Sequence, residues 1–353
     1  MEDYTLLGMR DRERWLKELE TIKEVRPDLH YRPEYCGLFA DVGEAHLFIY
    51  REGTDSVLYP FLLRKVNLIP GLAGNLSRDL YDITSPYGYG GPLASPGAGE
   101  QVLKNFCHCF ARYCQKNGII TEFIRFHPVL GNHRLLEKHL AVEKVSSAVV
   151  VDLKNSAAEI WAGYERNNRK NINKAYREGL KVVLESSPRR FADFLSIYHH
   201  TLSRNQAGGF YYFSGDFYDA VHRDLKGNYI YAHTLAGGQV ISTELLLYNG
   251  TYIHSFLGGT LEAFFDLRPN NILKHEVIQW AKARGISFFL LGGGYREGDG
   301  IFRYKRSFAS GGVLEYHVGK KIHDHAAVSC LKEIIADGRQ RESKEYFPPY
   351  RRC

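Results

Sequence analysis

Ile286-Ser287-Phe288-Phe289-Leu290-Leu291 runs into Gly292-Gly293-Gly294, and Ile301-Phe302-Arg303-Tyr304-Lys305-Arg306-Ser307-Phe308 comes shortly after. The first stretch reads as a buried strand. Glycines admit backbone conformations and close ligand approach that side chains forbid. A lysine flanked by aromatic residues is suited to stabilising the negative charge that appears during acyl transfer. Two readings stand at this point: a turn that holds Lys305 over a substrate, or a glycine turn followed by an amphipathic strand.

Upstream of this stretch, the residues read as a helix from Asn271 to Arg284, with Leu273, Val277, Trp280 and Ala281 on one face and Gly285 as its stop. Before the helix, strands are expected at Tyr229–Leu235, Val240–Tyr248 and Thr251–Leu257, joined by the hairpin signals Gly237-Gly238 and Asn249-Gly250. The same order of hairpin, helix and strand occurs earlier in the chain. Ala45–Tyr50 and Ser56–Val66 flank the turn Glu52-Gly53; a glycine-rich loop, a helix ending at Gly118 and the strand Ile119–Phe126 come next. This repeat of element order implies two similar α/β units, each a mixed sheet flanked by helices. Between them, Asn155–Glu178 reads as one helix, Leu180–Leu184 as a strand, and Ser187-Pro188 as the start of a helix that turns Phe191, Phe194, Leu195 and Tyr198 inward. The expected division is a first unit at residues 1–150, completed by the strand and helix of 313–353, and a second at 151–312.

The chain has 353 residues, 44% hydrophobic and 24% charged, which is the composition of a globular protein with more than one core. No stretch approaches the roughly 20 apolar residues that a spanning helix needs. Glu2, Asp3, Arg10 and Asp11 at the N-terminus do not resemble a secretory signal, so the expected location is cytoplasmic. A formal charge of +6 is mild beside that of a dedicated nucleic-acid binder. Cys107-His108-Cys109 and Cys114 fall within Val102–Lys116, where Val102, Phe106, Cys109, Phe110 and Tyr113 recur at helical spacing. They read as a buried apolar stripe, and no metal centre is expected.

Positive charge is concentrated at Arg166, Arg169, Lys170, Lys174, Arg177 and Lys181, opposed only by Glu165 and Glu178. Such a helix can face RNA phosphates or simply water. The loop Ser85–Leu93 sets Tyr87 and Tyr89 among glycines, suited to a peptide or sugar ligand or to packing between the units. Alternation along a strand places Tyr252 and His254 on one face, and the same logic makes Glu244 a candidate base if its face is the substrate side.

Four motifs in order carry a family resemblance: Ser85-Pro86-Tyr87-Gly88-Tyr89-Gly90-Gly91-Pro92-Leu93, Arg166-Asn167-Asn168-Arg169-Lys170-Asn171-Ile172-Asn173-Lys174-Ala175, Arg268-Pro269-Asn270-Asn271, and the glycine-to-Lys305 segment. Over nearly its whole length the chain resembles the Fem-like branch of the GNAT superfamily. These tandem-GNAT proteins include the aminoacyl-tRNA-dependent transferases of peptidoglycan bridge formation, and related acetyltransferase domains. The resemblance implies an acyltransferase in which Lys305 stabilises the oxyanion or leaving group and Tyr304 positions it. It also implies that Arg204 and Tyr212, with Tyr87, Tyr89, Tyr252 and His254, lie among the substrate-binding residues, and that Arg166, Arg169, Lys170 and Lys174 meet tRNA phosphate. No tightly bound cofactor is implied; the co-substrate is aminoacyl-tRNA or, alternatively, acetyl-CoA. The implied partner is a peptide or cell-wall precursor, reached at a membrane surface where that precursor is lipid-linked.

An ordinary GNAT grips a pyrophosphate with free N–H groups at a helix start. Here that place reads Asp266-Leu267-Arg268-Pro269-Asn270-Asn271, where proline removes an N–H and the asparagines crowd the approach or merely cap the helix. This favours aminoacyl-tRNA over a CoA-dependent N-acetyltransferase. The remaining alternative is a degenerate cleft that binds glycan or peptide without catalysis.

Overall fold

The computed structural model describes residues 4–74, 76–296, 298–336 and 346–351. Two compact units divide the chain: Met1–Val145 with Tyr316–Cys353, and Ser146–Glu315. In chain order the elements before the second unit are β1 (Tyr4–Gly8), α1 (Arg12–Glu20), α2 (Pro33–Gly37), β2 (Glu44–Glu52), β3 (Asp55–Lys65), β4 (Tyr81–Thr84), β5 (Leu93–Ala94), α3 (Glu100–Lys116) and β6 (Ile119–Arg125). They are followed by β7 (Ala141–Asp152), α4 (Ala157–Gly163), α5 (Arg166–Arg177), β8 (Lys181–Glu185), α6 (Phe191–Arg204), α7 (Gly215–Asp224), β9 (Tyr229–Ala236), β10 (Gln239–Tyr248) and β11 (Tyr252–Thr260). Then come α8 (Pro269–Ala283), β12 (Phe288–Gly292), α9 (Gly300–Arg306), β13 (Val313–Ile322) and α10 (His325–Ala336).

In the first unit the strand order is β1-β2-β3-β4-β6-β13, with β5 against β3. Only β4 and β6 run parallel; the other neighbours are antiparallel. α3 lays Phe106, Cys107, Cys109, Phe110 and Tyr113 onto Phe48, Tyr59 and Phe61 of the hairpin. The cysteines are therefore core residues, while His108 points to the exposed side of the helix.

The second unit has the order β7-β12-β11-β10-β9-β8, parallel only at β11–β12. The tight β9–β10 turn holds Gly237 and Gly238 at φ +55° and +89°, conformations that glycine adopts without strain. At the next turn the Asn249 side chain accepts the N–H groups of Thr251 and Tyr252 at 2.9 and 2.8 Å. Leu273, Val277 and Ala281 of α8 and Ile172 of α5 pack on Ile230, Leu246, Ile253 and Phe289 of the sheet. α6 crosses β10 and β11 with Phe194 and Tyr198 buried, and Phe191 and Leu195 half-buried.

Two expectations from sequence need correction here. Residues 155–178 form two helices, α4 and α5, because Tyr164 turns into the core and the Arg169 guanidinium binds the carbonyls of Trp161, Ala162 (3.0 Å) and Tyr164. Ser187-Pro188 does not start α6. Its N-cap is Arg190, preceded by a turn in which the Phe191 N–H meets the Pro188 carbonyl at 3.2 Å.

Candidate active site

Hydrogen-bonded pairing of β11 with β12 runs from Tyr252–Phe288 to His254–Leu290. Beyond that point β11 stays with β10, through a bulge at Leu245/Leu246, while β12 turns off at Gly292 with φ +75°. The strands thus part with Ser255 on one side and Gly292–Gly294 on the other.

Gly294 makes room for the loop on its C-terminal side, Gly293 for the Ser147 carbonyl, and Gly292 supplies the left-handed φ of the turn. A Cβ on Gly292 would stand 3.5 Å from Lys305 Nζ, and one on Gly294 would run into the Asp299 carboxylate. Asp299 accepts the N–H groups of Tyr295 (2.6 Å), Arg296 (2.9 Å) and Phe302 (2.7 Å), so it both folds the loop and caps α9. Those N–H bonds, that of Phe302 foremost, hold its carboxyl below the usual range. Residues 301–308, for which an amphipathic strand was one of the two readings, are therefore mostly helical. The helix is fixed by Phe302 and Phe308 in the core and by the Tyr304 hydroxyl, which donates to the Asn270 carbonyl at 2.9 Å. Lys305 reaches back to donate to the Gly293 carbonyl at 2.7 Å, at the point where the strands part.

Beneath this point lies a group that sequence reading missed in part. Lys274 is only 6% exposed and bonds the Glu244 carboxylate and, at 2.7 Å, the Ser255 hydroxyl. Glu244, 5% exposed, also accepts from the Ser255 hydroxyl. The signal for Lys274 was available: with Val277, Ile278 and Ala281 it occupies positions i, i+3, i+4 and i+7 of an otherwise apolar stripe. Burial, then the Lys274 charge, pushes Lys305 down to about 8, against the opposing pull of Glu244 and Asp299. Burial likewise lowers Lys274 itself, opposed by Glu244.

The asparagines of the α8 start do not cap it. The N-cap is Arg268, at φ +62°, and Asn270 accepts from the Ser242 hydroxyl at 2.7 Å and from Thr260. Asn271 donates to Asn168 at 2.8 Å, and Asn168 donates to the Ser307 carbonyl at 3.1 Å, tying α8, α5 and the end of α9 together.

The other sequence candidates have partners of their own. Tyr252 stacks on Phe288 at 5.8 Å, and alternation puts it and the buried His254 on the face opposite Ile253 and Ser255. Arg204 donates to the Thr260 carbonyl at 3.0 Å and lies over Phe265; Tyr212 is 42% exposed near Ser203 and His199. Of the basic helix, Arg166 and Lys170 are exposed and Lys174 is half-buried, whereas Arg169 is occupied by the carbonyls of α4. Tyr87 and Tyr89 belong to the first unit, where the Tyr87 carbonyl accepts from Tyr35 at 2.6 Å and Tyr89 packs on His30, His127 and Tyr316.

Residues 163–306, which hold α5, α8, the glycine turn and Lys305, match the family described as the acetyltransferase (GNAT) domain. No curated protein sequence matches the chain significantly. Among solved structures, FemX is similar with a TM-score of 0.63 and 13% identity, over 90% of this chain and 97% of that one. L-PGS from Bacillus licheniformis gives 0.55 and 14% over 92% and 97%. A tandem GNAT protein from the clavulanic acid biosynthesis pathway gives 0.52 and 9% over 92% and 99%. At such identities the likeness is one of fold. Residues 163–306 thus carry an acyltransferase domain of the GNAT family, and the chain as a whole has the fold seen in FemX and in the tandem GNAT protein. Among the described residues no helix is long and apolar enough to cross a membrane.

Proposed function

We propose that this acyltransferase moves an aminoacyl group from aminoacyl-tRNA to an amine of a peptide or peptidoglycan precursor, forming an amide. The observation that carries the reading is the Lys305 ammonium held against Gly293 where β11 and β12 part. As the amine attacks the ester carbonyl, negative charge grows on the carbonyl oxygen and then on the departing ribose oxygen. A cation in a partly water-excluded site stabilises both, and an amine tuned toward neutrality also hands its proton to the leaving oxygen more readily. The start of α8, with Pro269 lacking an N–H behind a left-handed Arg268, offers less to a pyrophosphate than an ordinary GNAT turn does, which favours the tRNA ester over a thioester. The exposed Arg166 and Lys170, with Lys174 beside them, suit RNA phosphate, and Arg204 and Tyr212 remain proposed acceptor contacts.

A second reading, a CoA-dependent N-acetyltransferase, is favoured by the match of residues 163–306 to the acetyltransferase family. One paired assay separates them: purified full-length protein with tRNA charged with radiolabelled amino acids, or with radiolabelled acetyl-CoA, and nucleotide-linked peptidoglycan precursors or lysine peptides as acceptors. Transfer from charged tRNA, lowered roughly 100- to 1,000-fold by Lys305→Ala, is expected. Transfer from acetyl-CoA alone selects the second reading, and full activity in Lys305→Ala removes the mechanism.

A further inference from the structure

A buried lysine–glutamate pair is a costly way to fill a core, because well-packed apolar residues of the same volume are usually as stable or more so. In this unit Glu244 of β10 and Lys274 of α8 meet at Ser255, the β11 residue that follows the last β11–β12 pair and the half-exposed third member of the group. The Ser255 hydroxyl donates to Glu244 and accepts from Lys274. A hydroxyl oxygen has two lone pairs, so one remains for a donor arriving from the side where β11 and β12 diverge. Lys274 in turn fixes the carboxylate, since its ammonium bonds both of the others.

We propose that Ser255 is a catalytic residue that takes the proton from the attacking amine and relays it to Glu244, with Lys274 as the positioning residue that holds both. The inference rests on the acyl-transfer reading of the same site. The acceptor nitrogen bonds the acyl carbon; one of its protons passes to Ser255 Oγ while the serine's own proton passes to Glu244. The bond from the acyl carbon to the leaving oxygen breaks, and that oxygen takes a proton from Lys305. Glu244 then releases its proton to solvent and Lys305 regains one, so the cycle closes with an amide and a free hydroxyl. Lys305 serves the leaving side of the reaction and Ser255–Glu244 the attacking side.

The test uses the paired assay above on the full-length protein. Ser255→Ala is expected to lower kcat about 100-fold with KM unchanged, Ser255→Thr to stay within about fivefold of wild type, and Glu244→Gln to match Ser255→Ala. The double variant Ser255→Ala/Glu244→Gln should be no slower than either single one, since the two act as a unit. Should Glu244→Gln fail to fold, Glu244→Leu with Lys274→Met removes the pair as a whole and must show the same loss. Activity of Ser255→Ala within threefold of wild type overturns the relay and leaves the acyltransferase reading standing. So does an acyl group found on Ser255 by mass spectrometry after acid quenching, which would make it a nucleophile. A wild-type protein inactive with both donors overturns the functional reading and the relay together.

Discussion

Each unit contains one parallel strand pair, and the two pairs end differently. In the first unit, β4 and β6 pair through Thr84–Phe123, and the chain beyond keeps the strands sealed: the Ser85 N–H meets the Phe123 carbonyl at 3.2 Å and the Gly90 N–H the Arg125 carbonyl at 2.7 Å. Asn132 clamps the sealing loop by donating to the carbonyls of Gly90 and Pro92 at 2.9 and 3.0 Å. In the second unit the pairing ends at His254–Leu290 and the glycines carry β12 away. The helices preceding β6 and β12 differ in the same sense. α3 presents aromatic rings and cysteines to its sheet, whereas α8 sets Lys274 on its buried stripe and finds Glu244 opposite. One element order therefore supports either a sealed strand pair beneath an aromatic helix face or an open one beside a buried lysine–glutamate pair.

The largest expected effect bears on that floor. Glu244→Ala or Lys274→Ala leaves an unpaired buried charge and should cost about 3–5 kcal/mol in urea unfolding, most of it recovered in the double variant Glu244→Leu/Lys274→Met. Phe110→Ala in α3 should cost a similar ~3–5 kcal/mol, there through an empty cavity that no charge-removing partner change repairs. A Glu244→Ala variant as stable as wild type would erase the contrast between the helices.

Lys305 supplies a pH test. Its value is pushed from 10.5 to about 8 by burial and by Lys274. Between those values the unfolded chain holds more protons than the folded one, so this group makes stability rise with pH across that window. Activity runs the other way: if the ammonium acts, kcat should fall about tenfold per pH unit above roughly 8. Lys305→Arg, which stays charged, should lack that fall between pH ~8 and ~10. A wild-type profile flat to about pH 10 would separate Lys305 from the chemistry.

A smaller effect tests the glycine loop. Asp299→Ala removes the α9 cap and should cost about 1 kcal/mol. Because the same carboxylate shapes the turn that aims Lys305, transfer should drop further than stability does, read as lower kcat in a protein with near-normal unfolding. A loss no greater than that of a neutral surface change would show that Phe302 and Phe308 alone hold the helix.

Much of this was legible in the chain. The strand–glycine–lysine stretch, the paired hairpins and the apolar stripes of α3 and α8 all come from periodicity and turn chemistry, which are local properties. What escaped was set by particular side-chain partners, some a few residues away and some on other elements, that periodicity does not reveal. The break after Gly163 depends on a tyrosine entering the core and on Arg169 folding back onto α4. Residues 301–308 admit an amphipathic strand by pattern, yet Asp299 caps them into a helix and two phenylalanines anchor it. Asn270 and Asn271 look like caps, but their partners are Ser242, Thr260 and Asn168 on other elements. Glu244 was readable as a buried base candidate; Lys274 became meaningful only once β10, β11 and α8 were brought together.

The smallest stability change is expected at α5, where one side of the helix holds the core and the other holds charge. Asn168, Ile172 and Ala175 are buried, while Arg166 and Lys170 are exposed in the row that Lys174 continues. Replacing Arg166 and Lys170 by alanine should leave the unfolding midpoint unchanged, because neither side chain supports the packed face. If the row lies along tRNA, each lost contact with phosphate flattens the dependence of log affinity on log salt by roughly 0.7 to 0.9. Charged tRNA should then bind more weakly with kcat little altered, since these residues position the donor and do not touch the reacting carbonyl. Arg169→Ala is the internal control: its guanidinium is committed to α4, so it should lower stability and leave the salt slope alone. The reverse pattern, a flatter slope from Arg169→Ala and none from its exposed neighbours, would place the RNA contact somewhere other than this helix.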